Sequence, residues 1–317
     1  MTDASKCGNV NVIPGISFFT AVASIILSIC TTALNGLVLR SIYILREKKL
    51  KIFFYKLLLN ISVSDIITGI FTDLYSAIFH VQEGLLVTPI EIRVIHVTLY
   101  LLGSVPLATL VLLCIDRVLA LLMPLSYRHG PAGRTAWLIV LSTWVISTVQ
   151  IAAYFRLGFI PYLVIFAAIN IAGASFALFL TSYIFHKRTK REKLRKNNRR
   201  ADGRLTVEIS GSPQGRKDAE PTVKKKERHT SPEKSATKAF QIMSVVNVAT
   251  YLPTCFATAY MNACTDCNCM VVHSMRDIAI VSILSGSLFR AITLLSCLRP
   301  LRSSFCNRKP ARQDASG

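Results

Sequence analysis

The chain has 317 residues, 52% of them apolar and 17% charged, with a mean hydropathy of +0.46. That balance excludes an ordinary soluble domain, and it excludes a simple nucleic-acid binder despite 37 Lys+Arg against 17 Asp+Glu and a formal charge of +20. The positive excess must sit outside the apolar stretches. Residues 1–9 are polar and lack the basic-then-apolar pattern of a cleaved leader, so the first apolar stretch is expected to be retained.

A helix needs about 20 predominantly apolar residues to cross about 30 Å of hydrocarbon, where nothing satisfies an open backbone N–H or C=O. In chain order, seven stretches qualify: Val10 to Leu39, Leu57 to Val81, Val94 to Ile115, Ala136 to Phe155, Leu157 to Phe185, Ala239 to Ala263 and Ile278 to Leu298. The fold class expected is all-α, a seven-transmembrane helix bundle over residues 10–298. Alternate connectors carry the basic residues. Arg40, Arg46, Lys48, Lys49, Lys51 and Lys56 surround the first, Arg117, Arg128 and Arg134 lie in the third, and the fifth (187–238) holds 18 Lys+Arg. The others are nearly neutral, with Lys6, Arg93, Arg156 and Arg276 against Asp3, Glu83, Glu91, Asp266 and Asp277. The positive-inside rule then places residues 1–9 outside and the tail, 299–317, in the cytoplasm. Residues 191–230 have too few apolar groups to offset chain entropy and read as mostly disordered. Such a basic loop is expected to meet anionic lipid, and phosphorylation of Thr222, Thr230 or Ser231 would weaken that attraction.

A charge at the bilayer centre costs on the order of 3 kcal/mol even on lenient scales, so intramembrane ions are functional candidates. Asp65 and Asp73 lie on an i, i+4, i+8 stripe of the second span with Gly69 between them, and Arg290 lies on the seventh. Asp65 is eight residues past Leu57 and Arg290 eight before Leu298. At about 1.5 Å per residue both reach roughly 12 Å depth, so Arg290 is expected to pair with Asp65. At the end of the third span, Asp116-Arg117-Val118 puts an arginine beside one carboxylate, with Glu233 ahead of the sixth span as a second partner.

These residues resemble the rhodopsin-like (class A) G protein-coupled receptors. Asp116-Arg117-Val118 and its flank through Pro124-Leu125 to Tyr127 are similar to the family's Asp-Arg-Tyr region. Asn35, Asp65 and Trp144 resemble the polar and aromatic marks of helices one, two and four, with 52 residues from Asp65 to Arg117 and 27 from Arg117 to Trp144. Tyr183 resembles the fifth-helix Tyr; Glu233, Lys234, Thr237 and Lys238 resemble the start of the sixth helix, and Pro253 its hinge. The resemblance marks Asn35 and Asp65 as an intramembrane polar core, which Arg290 joins through its expected pairing with Asp65. It also implies a switch in which Asp116 and Glu233 hold Arg117 until helix six swings about Pro253 and Tyr183 receives it.

The sequence also departs from the family. Ile92 stands where the third-helix Cys is usual, Pro106 replaces a third-helix hydroxyl, Ser175 replaces the fifth-helix Pro, and Tyr251 replaces the Trp before Pro253. The seventh span reads Ser-Gly-Ser-Leu-Phe-Arg-Ala-Ile-Thr-Leu-Leu-Ser, with no Asn-Pro-x-x-Tyr. The family uses its second-helix Asp to hold sodium; a fixed Arg290 beside Asp65 implies a receptor without sodium regulation and with an altered resting equilibrium.

Leu99 stands 18 residues before Arg117, where amine receptors carry an Asp, which argues against a biogenic-amine ligand. The final span has no Lys for a retinal Schiff base. Pocket candidates are Asp73, His96, Tyr100, Gly103, Tyr251, Cys255 and Thr258. Cys7, Cys264, Cys267 and Cys269 fall outside and are expected to form disulfides, with a zinc set on the last three plus His273 as a looser alternative. Cys30, Cys114 and Cys255 read as buried small apolar residues, and Cys306 beyond Arg299 and Arg302 as a palmitoylation candidate.

The reading that results is a non-enzymatic receptor of the plasma membrane, without cofactor or resident metal and without a nucleic-acid partner. It would bind a small molecule or peptide outside, a heterotrimeric G protein inside, and an arrestin-type partner at its basic loop. Two alternatives stand beside it: a signalling-silent receptor-like partner or scaffold, motivated by the missing Asn-Pro-x-x-Tyr, and a transporter or channel, motivated by Asp65, Asp73 and Arg290 as an ion path.

Overall fold

A computed structural model describes residues 13–44, 53–88, 90–123, 133–209, 232–263, 268–298 and 301. Among them, seven helices are long and apolar enough to cross a membrane. They are α1 (Pro14–Ile44), α2 (Phe53–Gly84), α3 (Ile92–Leu122), α4 (Gly133–Leu157), α5 (Phe159–Ile209), α6 (Pro232–Ala263) and α7 (Cys269–Cys297). α1 packs on α2 and α7, α3 on α2, α4 and α5, and α6 between α5 and α7.

Lipid tails are as apolar as leucine, so these helices gain little by hiding leucine; they turn small and polar groups inward and pack closely. α1 buries Ser17, Thr20, Ala21, Ser24, Ser28, Thr31 and Asn35 at helical spacing, while Phe19, Val22, Ile26 and Ile29 point outward. Two apolar clusters fill the bundle. One, at the Arg117 end, contains Leu57, Ile61, Leu113, Phe240, Met243 and Leu294. The other contains Tyr100, Tyr162, Phe166, Tyr251 and Leu284.

Several boundaries differ from those the hydropathy pattern gives. α7 begins at Cys269 rather than near Ile278, so Arg276 and Asp277 belong to a helix and not to a connector. Asp277 is buried, as is Glu83 near the end of α2. α5 runs to Ile209, through part of the stretch whose composition reads as disordered. Lys, Arg and Glu are good helix formers, and a membrane-spanning helix already supplies the costly nucleus for their continuation. Residues 210–231 lie outside the described residues. α4 and α5 are joined by Gly158 alone, at φ 82°, a conformation that glycine reaches without strain.

α2 contains a wide π turn over Thr68–Asp73. The extra residue in that turn breaks the i, i+4, i+8 stripe on which Asp65, Gly69 and Asp73 appear in sequence. Gly69 lets α1 approach at the wide turn: Ser28 Oγ donates to the Gly69 carbonyl at 2.6 Å, and a Cβ on Gly69 would stand 2.6 Å from Thr32 Oγ1 and 3.2 Å from the Ser28 carbonyl. Asn60 ties three helices: its amide donates to Thr109 Oγ1 at 2.8 Å and to Thr143 Oγ1 at 3.3 Å, and its oxygen accepts from Trp144 Nε1 at 2.9 Å.

Gly36, on the same helix as Ser28, has nothing within 4 Å of the corresponding Cβ position. Gly69→Ala is therefore expected to destabilise the detergent-solubilised protein by about 1–3 kcal/mol of overpacking, read as a lower thermal midpoint, whereas Gly36→Ala leaves the midpoint unchanged or raises it. Equal effects from the two would show that the α1–α2 contact does not rest on Gly69.

Candidate functional site

Arg290 lies on α7 between the two apolar clusters, and its side chain is 5% exposed. A guanidinium presents five donors in a rigid fork, and burial in a membrane bundle demands acceptors for them. Nη2 donates to Asp65 Oδ1 at 2.6 Å and Nε to Asp65 Oδ2 at 3.1 Å, a bidentate pair with a carboxylate that is itself fully buried. Nη1 donates to Asn247 Oδ1 on α6 at 3.1 Å, and Nη2 also to Ser287 Oγ at 2.9 Å. One side chain thus joins α2, α6 and α7. Gly286, a turn earlier, leaves it room, since a Cβ there would stand 3.3 Å from Nη1.

The other two intramembrane candidates stand apart from this fork. Asn35 is buried but donates to the Thr31 carbonyl of its own helix at 3.0 Å. Asp73 ends the π turn, fully buried, and neither of its carboxylate oxygens has a hydrogen-bond partner.

At the far end of α3, Arg117 Nε donates to Asp116 Oδ2 at 2.8 Å, and the two side chains form an ion pair. The guanidinium lies 4.8 Å from the Phe54 ring centroid, a cation–π contact onto α2. Arg117 is 21% exposed and Asp116 only 2%, so the arginine is folded back over the mouth of the bundle. Tyr183 is exposed on α5 and carries Lys187 Nζ 5.1 Å above its ring. The Glu233 side chain lies outside the described residues, as do Pro124, Leu125 and Tyr127. Pro253 is internal to α6, six residues beyond Asn247.

The pocket candidates at the opposite end form a packed aromatic cluster. Tyr100 lies 4.6 Å from Phe166 and 4.8 Å from Tyr162 between ring centroids, and Phe166 lies 5.7 Å from Tyr251. His96 Nδ1 is 3.3 Å from Tyr154 Oη. Gly103 admits the Tyr251 hydroxyl, which would stand 2.6 Å from a Cβ at that position. Tyr100 and Tyr251 are buried against side chains of the protein itself, so a ligand here must displace rings rather than enter an open cleft. Cys255 is partly buried near this cluster, and the Thr258 side chain lies outside the described residues.

The family model for the seven-transmembrane receptors of the rhodopsin family matches residues 34–289. The chain belongs to that family. It is a non-enzymatic receptor family, and the chain is a multi-pass membrane protein with seven spans. No curated protein is a significant match to the chain.

Cysteine placement in this receptor follows its own pattern. Cys30, Cys114, Cys255 and Cys297 form no disulfide. Cys269 is disulfide-bonded, which removes it from the zinc set with Cys264, Cys267 and His273. The cysteine it joins lies outside the described residues, as do Cys7, Cys264, Cys267 and Cys306.

The sequence reading missed two groups of residues. Asn247 carries no charge, so nothing in a hydropathy profile marks it; its position six residues before a helix-internal proline is the one available signal. The second group is a buried charged layer at the end opposite Arg117. There, Arg276 Nη2 lies 2.7 Å from both Glu83 Oε2 and Asp277 Oδ1. It escaped notice because each charge stands within a few residues of a span's end, where connectors are usual.

Removing one partner of a buried ion pair leaves an uncompensated charge and costs about 3–5 kcal/mol. Arg290→Gln and Asp65→Asn are each expected to lower the receptor's thermal midpoint strongly. The double variant should lose clearly less than the sum of the two, because neither charge is then stranded. Strict additivity in that cycle would show that the two side chains are not energetically coupled.

Proposed function

We propose that the protein is a G protein-coupled receptor of the plasma membrane, which converts binding of a small molecule or peptide outside into activation of a heterotrimeric G protein inside. The basic connectors orient it with the Arg117 end in the cytoplasm. The observation that carries the proposal is Arg117 at the inner mouth of α3, held by Asp116 and the Phe54 ring and still partly open to solvent. Asp116 is buried and Arg117 partly open, and the proposal needs this pair only to bias a two-state equilibrium.

The restraint on α6 comes from deeper in the bundle. An internal proline removes one backbone hydrogen bond and makes a hinge. Swinging the segment of α6 between Arg117's level and Pro253 requires Asn247 to leave Arg290. Ligand entry among Tyr100, Phe166 and Tyr251 would push on α6 through Tyr251, two residues before the hinge. A ligand that prefers the displaced rings thereby favours the form in which the Arg290–Asn247 bond is broken and the inner mouth is open. Family membership favours a receptor over a transporter. Phosphorylated residues of the basic loop would recruit an arrestin-type partner.

Both oxygens of Asp65 are taken by Arg290, so the fixed guanidinium occupies the cation's place. Exchanging sodium for a large organic cation at constant ionic strength is expected to leave basal activity and thermal midpoint unchanged. A sodium-specific shift in either would overturn the assignment.

A signalling-silent partner remains the second reading, favoured by the filled aromatic cluster and the missing Asn-Pro-x-x-Tyr in α7. The two part on one measurement: G protein activation by the full chain and by Arg117→Ala at matched surface levels. The receptor reading expects nucleotide exchange in the wild type, reduced tenfold or more (about 1.4 kcal/mol of coupling) in the variant. No exchange by either chain, across a panel of G proteins with candidate ligands present, would instead support the silent partner.

A further inference from the structure

At the end of the bundle opposite Arg117, His80 and Glu83 lie one turn apart on α2, and Asp277 faces them from α7. All three are buried, and one ligand atom from each lies within 4.8 Å of the other two. The proposed switch uses none of them.

The hydrogen bonds around the cluster fix what it lacks. His80 Nδ1 stands 2.7 Å from the Ser76 carbonyl, which can only accept, so Nδ1 carries the proton. In the neutral ring the Nε2 lone pair then faces inward. Nε2 lies 3.5 Å from Asp277 Oδ1, outside hydrogen-bond geometry but at ion-pair distance when the ring is charged, in a fully buried side chain. A lone pair set against a carboxylate in apolar surroundings is repulsive unless a cation lies between them. The carboxylates are braced from α1: Ser17 Oγ donates to Glu83 Oε2 at 3.0 Å, and Thr20 Oγ1 lies 3.4 Å from Asp277 Oδ2. Arg276 pairs with both carboxylates, one positive charge against two negative, and does not bond to Nε2. Its side chain is 17% exposed and lies over the Phe79 ring, so it sits at the rim and can turn outward.

We propose that His80, Glu83 and Asp277 form a binding site for a divalent cation of the zinc class, with Arg276 as its built-in competitor. The donor set decides the class. Calcium and magnesium take oxygen ligands, whereas a neutral imidazole with two carboxylates suits zinc, and three protein ligands leave a fourth position for water. A histidine whose other nitrogen is bonded to a backbone carbonyl is already oriented for a metal. Tetrahedral zinc holds N and O ligands about 3.3 Å apart, close to the separation His80 Nε2 and Asp277 Oδ1 already have. Only the flexible Glu83 must close in. Metal binding would replace a cation that α7 supplies to its own carboxylate with one shared by α2 and α7.

The test uses the purified, chelator-stripped full chain in detergent, titrated with zinc chloride against a chromophoric chelator and followed by thermal unfolding, with magnesium chloride as the comparison. The wild type should take up zinc with a rise in thermal midpoint that magnesium does not produce. His80→Ala and Asp277→Asn should each weaken uptake about tenfold or more, and Arg276→Gln should tighten it about tenfold. The last effect runs opposite to a structural role, since losing two ion pairs would lower stability without metal. Should His80→Ala not fold, the Arg276→Gln titration decides. The proposal is overturned if neither the wild type nor Arg276→Gln takes up zinc, which leaves a proton as the cation on Nε2. Uptake that His80→Ala leaves intact, or that magnesium matches, overturns it as well.

Discussion

A guanidinium deep in a lipid-embedded bundle has no water to retreat to, and the rest of the receptor is arranged around that constraint. Arg290 must find a carboxylate and further acceptors at its own depth, and Asp65, Asn247 and Ser287 are there to supply them. The requirement fixes the rotation of α7 about its axis, since Arg290 must face α2 and α6 together. It also keeps Gly286 small. A buried pair of this kind is weak support for stability compared with apolar packing, but it specifies one arrangement sharply, because the alternatives strand a charge.

The same constraint separates two tasks along the bundle. On the Arg117 side the interior is mostly aliphatic, with Leu57, Ile61, Leu113 and Met243 beside Phe53, Phe54, Tyr55 and Phe240. On the other side it is aromatic, with Tyr100, Tyr162, Phe166 and Tyr251. A polar layer lies between them, with Pro253 between Asn247 and the end of α6 at Ala263; under the proposed function this layer would carry motion from one cluster to the other through α6. Coupling of this type needs no long chain of contacts. It needs one element with two arrangements and a bond that only one of them can keep.

Much of this was legible in the sequence because membrane physics is strict. Seven apolar stretches give seven helices, and the meeting of Asp65 with Arg290 follows from counting eight residues inward from each span's end. What escaped reading has particular causes. The π turn at Thr68–Asp73 inserts one residue into a regular helix and has no residue signature of its own, so the spacing of Asp65, Gly69 and Asp73 does not give their relative rotation. Glu83, Arg276 and Asp277 stood at the edges of spans, and hydropathy cannot tell a charge that ends a helix from a neutralised one within it. Arg117 was found by its neighbours, but its contact with the Phe54 face depends on how α2 and α3 cross. The helical run of α5 to Ile209 has no signal in composition, which ignores the helix already in place upstream.

The single glycine between α4 and α5 has a consequence for how the receptor meets its surroundings. With Leu157 ending one helix and Phe159 beginning the next, the chain has nothing at this corner to drape over the bundle. The α2–α3 connector at the same end is longer and is held to α2: Tyr75 Oη donates to the Glu91 carbonyl at 3.3 Å and the Ile90 N–H to Gln82 Oε1 at 2.9 Å. A one-residue corner leaves no slack between the two helix ends, so any tilt of α4 in the surrounding lipid carries the start of α5 with it.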